Sequence, residues 1–142
     1  MTAEKAKQEF DDFESASKPI RDAGIPLYIA MGNHAAYSEF ARAEFTKRYK
    51  DPTTGKLYYA VDMGNCRAFI LNTEQKDNQL QITGEQFDWL KNEMEASSGK
   101  HKFVLLHRPL YPKIKHLTDS LNKYPALRDQ LADLFRKHDV DM

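Results

Sequence analysis

The sequence predicts an α/β domain with a partly parallel sheet. Short apolar, β-rich runs alternate with segments of helical periodicity, the pattern of strands joined by covering helices. The 142 residues suit one ordinary domain and are too few for two. Hydrophobic residues at 41% and aromatics at 11% supply a core and exclude a disordered chain.

Residues 3–23 read as a helix, with Phe10, Phe13 and Ile20 near helical spacing and a stop at Gly24 and Pro26. Residues 27–31 are an apolar run suited to a buried strand, broken by Gly32-Asn33-His34. A second helix fits 37–49, where Phe40, Ala41, Phe45 and Tyr49 recur at helical intervals. After the turn cluster 51–55, two β-rich runs at 57–62 and 66–72 read as a hairpin across Met63-Gly64-Asn65.

A polar loop covers 73–82. Thr83 then caps a helix, with Gln86 as its capping-box partner. Phe87, Trp89, Leu90 and Met94 form its buried side, and Ser97-Ser98-Gly99 ends it. Residues 103–106 form the next buried strand, and His107-Arg108-Pro109 leaves its end. A basic, loop-rich stretch at 110–124 leads to a helix over 125–138, with Pro125 in its first turn and Leu127, Leu131, Leu134 and Phe135 along one face. No repeat, linker or second domain is visible.

Twenty-one basic residues balance twenty-one acidic ones, a charge balance that disfavours a general nucleic-acid binder. Cys66 is the one cysteine, so no intrachain disulfide framework is expected, and the compartment is left open. No apolar run reaches the roughly 18 residues of a membrane span, and no signal peptide is visible in the first twenty residues.

Two segments share one geometry: an apolar strand ends and polar residues follow at once. These are 27–31 into Asn33-His34, and 103–106 into His107. In open α/β sheets, sites form beyond the carboxyl ends of strands, so both segments aim at one rim. Asparagine offers a hard oxygen, and neutral imidazole offers a metal ligand or a proton donor. Each motif alone is also an ordinary turn.

The order of the segments adds information. Gly24-Ile25-Pro26-Leu27-Tyr28 through Gly32-Asn33-His34 resembles the Gly-Asn-His block of calcineurin-like metallophosphoesterases. Tyr58 to Asp62 and Ala68 to Thr73 resemble that family's central hairpin, and Gln86-Phe87-Asp88-Trp89-Leu90 its following helix. Val104-Leu105-Leu106-His107-Arg108-Pro109-Leu110-Tyr111 is similar to its histidine-bearing strand end, in the form of the purple-acid-phosphatase branch. Leu127 through Val140-Asp141 resembles the helix and strand start before the last ligand block.

The resemblance implies a metallophosphoesterase-type β-sandwich flanked by helices in αββα layers, here truncated to one partial domain over residues 1–142. It implies a metal-ligand role for Asn33 and His107 and a leaving-group or phosphoryl-oxygen role for the catalytic His34. The implied cofactors are two divalent or trivalent transition metals (iron, manganese or zinc), although this chain alone need not bind them. The implied substrate is a phosphate ester, cleaved by a two-metal mechanism. No nucleic-acid or membrane partner is expected.

The departures are specific. The family's opening Asp-x-His and Gly-Asp-x-x-Asp blocks and its closing Gly-His-x-His block have no counterpart here. Asn33 and His107 are neutral and cannot by themselves balance two dications. Ala35 stands where an acidic residue usually follows Gly-Asn-His. The expectation is therefore a phosphomonoesterase or phosphodiesterase fragment, inactive alone. Two rivals remain. One is a non-catalytic module that self-associates into a homo-oligomer through open sheet edges. The other is an unrelated α/β binding protein, which would place Asn33 and His107 far apart.

The other polar residues read more plainly. Arg108 is either a phosphate contact or a surface ion pair. His101, His116 and His138, like Lys113, Lys115 and Lys123, read as solvated surface. Cys66 reads as buried packing.

Overall fold

The computed structural model describes all 142 residues. In chain order the elements are α1 (Ala3–Asp22), α2 (Asn33–Ala36), α3 (Glu39–Tyr49), β1 (Tyr59–Met63), β2 (Cys66–Ile70), α4 (Gly84–Ala96), β3 (His101–Leu105), a 3₁₀ turn (Leu121–Lys123) and α5 (Pro125–Lys137). The α/β class is as expected, and the strands form one three-stranded sheet ordered β1-β2-β3.

β1 and β2 form the expected hairpin, and the Met63↔Cys66 pairing leaves Gly64-Asn65 as its two-residue turn. Gly64 adopts φ 62°, a left-handed conformation that costs glycine little. β2 and β3 run parallel, with Ala68 opposite Phe103 and Ile70 opposite Leu105. A parallel pair needs a crossover, and α4 supplies it.

The main core lies between the sheet and the two helices α4 and α5. Phe69, Leu71, Ile82, Leu90, Met94, Leu121, Leu131 and Leu134 fill it. A smaller core of Met31, Ala36 and Phe45 joins α2 and α3 to α1. There Phe10, Phe45 and Tyr49 interlock, with Phe45 and Tyr49 centroids 4.9 Å apart. Of the expected α1 stripe, Phe10 packs inward while Phe13 and Ile20 stay exposed.

Residues 27–31 carry no strand, contrary to expectation. No backbone ladder reaches them. Instead the Tyr59 side chain crosses from β1: Ile29 N–H donates to Tyr59 Oη at 2.9 Å, and Tyr59 O–H donates to the Ile29 carbonyl at 3.3 Å. The segment from Phe103 to Leu106 is also less buried than expected, with Leu105 45% exposed.

The capping box at α4 is a second correction. Thr83 holds the N-cap position but accepts no hydrogen bond. The Gln86 side chain turns the other way, into the core, where it bonds both backbone groups of Asn72. A buried amide facing an unpaired peptide is satisfied more fully there than at an exposed helix end.

Candidate functional site

Asn33 and His107 lie 74 positions apart in the sequence, and the fold brings them into contact. His107 Nε2 stands 2.9 Å from Asn33 Oδ1. Asn33 is the first residue of α2, set by the extended Gly32 before it. His107 follows β3 by two residues. Both therefore leave apolar segments at one rim, as the sequence implied.

Two neighbours shape the pair. Asn33 Nδ2 donates to Tyr37 Oη at 2.8 Å, which turns the amide oxygen toward His107. An oxygen acceptor there calls for a proton on His107 Nε2. The His107 ring also lies close to Gly32, where an added Cβ would meet ring atoms at 3.3 Å. Glycine is needed at 32 for this close approach, since its φ of −98° demands no special backbone freedom.

His34 is placed differently. Its ring is exposed and tilts against Tyr37, with centroids 5.1 Å apart. It lines an apolar cavity of about 320 Å³ with Phe10, Phe13, Phe45 and Tyr49. No hydrogen bond ties it to Asn33 or His107, and Ala35 beside it brings no carboxylate to orient the ring.

Behind the pair sits a polar cluster that sequence reading missed in part. Arg108 is ion-paired, one of its two expected readings, but its main partner is buried Glu74, with exposed Asp119 at 3.3 Å as the second. Its side chain is 12% exposed and its Nε donates to Glu74 Oε1 at 2.6 Å, with Glu74 only 2% exposed. Arg108 Nη1 donates to the Asp119 carbonyl at 2.7 Å. Burial pulls the Arg108 pKa down, but the Glu74 bond and charge prevail and hold it above its ordinary value. Arg42 approaches Glu74 from the other side and donates to its carbonyl at 2.6 Å. Neither Glu74, Arg42 nor Tyr37 belongs to a short motif, so nothing local marked them.

The remaining expectations divide. His101 and His116 are exposed, beside Asp141 and Asp119. His138 is not simply solvated: it caps α5, half-buried, with Nε2 buried and unpartnered. Lys113, Lys115 and Lys123 are exposed, and Cys66 is half-buried at the start of β2.

The donor set can be tested against a metal ion. Two ligands about 2.1 Å from one ion and at right angles stand about 3 Å apart, so the Asn33–His107 separation of 2.9 Å suits a shared ion. Charge does not complete the fit. Both donors are neutral, Glu74 is committed to Arg108, and no three His, Cys, Asp or Glu side chains gather into a metal-holding group. Asn33 and His107 alone therefore do not make a two-metal centre.

A family model described as calcineurin-like phosphoesterase matches residues 5–142. The chain is 30% identical over 114 residues to a protein of Rhodococcus erythropolis named as a probable cyclic nucleotide phosphodiesterase, covering 78% of this chain. It spans 36% of that relative's length. No solved structure matches. These similarities do not single out the purple-acid-phosphatase branch.

Proposed function

The chain belongs to the calcineurin-like phosphoesterase family, and from that premise we propose that it supplies one side of a metal-dependent phosphoric-ester-hydrolase site. Asn33 and His107 would be ligands to one ion. The observation that carries this reading is their 2.9 Å contact at the shared rim. An unrelated fold with chance motifs would have no reason to join them.

In this reading the family's two metals, when bound, lower the pKa of a water and offset charge on the phosphate oxygens. The chain's own residues hold and orient. Asn33 presents its oxygen because Tyr37 occupies its amide nitrogen. His107 would present Nε2 to an ion in the tautomer that carries its proton on Nδ1, and Gly32 lets the ring lie close. His34 is the proposed donor of a proton to the leaving alkoxide, a task that suits an exposed imidazole. Phosphodiesters, cyclic nucleotides included, are the first substrate class to test.

The neutral donor set supports a second part of the proposal, that this chain alone does not turn over. The test is hydrolysis of bis(p-nitrophenyl) phosphate, p-nitrophenyl phosphate and cyclic AMP with added Mn²⁺ or Zn²⁺. No turnover is expected. Robust turnover abolished by His107→Ala overturns inactivity and supports the ligand assignment. Turnover that survives His107→Ala overturns the assignment itself.

The exposed Leu105 and Met63 favour a second reading, self-association through the open sheet. A monomer by light scattering at high concentration would count against it.

A further inference from the structure

We infer that Glu74 is a positioning residue for the Asn33–His107 pair, the shared anchor to which both halves of the rim are tied. This rests on the reading that the pair is the working part of the site.

One tie runs to His107. The next residue, Arg108, places Nε 2.6 Å from Glu74 Oε1 and Nη2 3.5 Å from Oε2. The far side of the same guanidinium is held by the Asp119 carbonyl. A planar fork gripped on two sides fixes the backbone that carries it, and with it the direction in which His107 leaves β3.

The other tie runs to Asn33. Arg42 Nη2 donates to the carbonyl of Ala36, the last residue of α2, at 3.2 Å. Its Nη1 donates to the Glu74 carbonyl at 2.6 Å. Asn33 opens that same four-residue helix. Glu74 therefore meets one arginine with its carboxylate and another with its carbonyl, and each arginine governs one member of the pair.

The anchor is itself pinned. Glu74 N–H donates to Asn72 Oδ1 at 2.9 Å. The Asn72 backbone is bonded on both groups by the Gln86 side chain of α4. The rim is thus referenced to the main core. An exposed ion pair would contribute little and could drift, but this pair is buried, and removing one partner strands the other's charge.

The test reads the His107 ring without metal, substrate or turnover. Long-range ¹H–¹⁵N correlation at a pH where the ring is neutral distinguishes its two tautomers. The parent chain is expected to show the Nε2–H form. Glu74→Gln, which keeps an oxygen for Arg108 Nε, should keep that form. The double variant Glu74→Met with Arg108→Met removes both charges together. It should fold but lose the signature, its two ring-nitrogen signals moving toward a common average. A folded double variant that keeps the Nε2–H form overturns the proposal. Arg42→Gln tests the other tie and strands no carboxylate, so it serves if the double variant does not fold. It should shift the Asn33 side-chain amide signals and weaken the His107 signature, and unchanged signals overturn the proposal. The metal reading fails separately, through turnover that survives His107→Ala.

Discussion

Gly32 and His107 are packed so closely that a methyl group on Gly32 would stand 3.3 Å from the imidazole. The two are not neighbours in sequence, and the contact exists only because 27–31 and β3 end at one rim. Gly32→Ala separates site geometry from stability. At φ −98° and ψ 167° alanine fits the backbone, and a stiffer unfolded chain favours it. The exposed His107 ring can move aside. The melting free energy should change by less than about 1 kcal/mol, while the His107 ring signals shift as its bond to Asn33 lengthens. Calorimetry and ring ¹⁵N spectra check the two halves. Unmoved ring signals would show that the close approach is incidental.

Gln86 and Thr83 make a paired test of the corrected helix start. Gln86→Leu leaves the buried N–H and C=O of Asn72 without partners and should cost about 2–5 kcal/mol. Thr83→Ala removes no capping bond and should cost under about 0.5 kcal/mol. Urea unfolding of both variants decides. A larger loss at Thr83 than at Gln86 would restore the capping box.

Tyr59→Phe removes the hydroxyl that serves both backbone groups of Ile29. Because water can replace it at this half-buried site, the global loss should be about 1 kcal/mol. The local effect should be larger: the Ile29 amide should exchange with solvent faster while β2 amides keep their protection. Equal exchange in parent and variant would mean that something other than Tyr59 holds 27–31.

The four longer helices and the hairpin were legible because each follows from local periodicity and turn chemistry, and the partly parallel sheet from strands alternating with helices, whereas the four-residue α2 was not expected. The run 27–31 has the composition of a strand, but composition cannot say whether a neighbour is present to pair with it. At 83–86 the residues match a capping box, yet the same Gln86 can reach Asn72, and only tertiary packing chooses. The Asn33–His107 meeting was legible through the order of short motifs, not through any one of them. Glu74 and Arg42 left no trace, since a buried ion pair between distant residues has no local pattern. For Arg108 the sequence left a phosphate contact and an ion pair open, and only the fold shows that the ion pair is mostly buried.

Asp141 accepts from Lys102 N–H at 2.8 Å, and its other oxygen is 3.2 Å from the His101 ring. The Lys102 bond first, and His101 second, hold its carboxyl below the ordinary value of 3.8. A carboxyl whose pKa is lowered by folding contributes stability above its unfolded value, and loses it as pH falls through the folded value. The loss from Asp141 should therefore begin near pH 3.8 and continue below it. The same contact precedes two backbone bonds, Asp141 N–H to the Lys102 carbonyl and Val104 N–H to the Met142 carbonyl, so protonation should loosen the outer edge of β3. Amide exchange at Lys102 and Val104 should quicken over that range in the parent chain. Asp141→Asn retains an oxygen for Lys102 but cannot ionise, so its exchange should lack this step. Matching acid profiles in the two chains would place the acid sensitivity of this edge elsewhere.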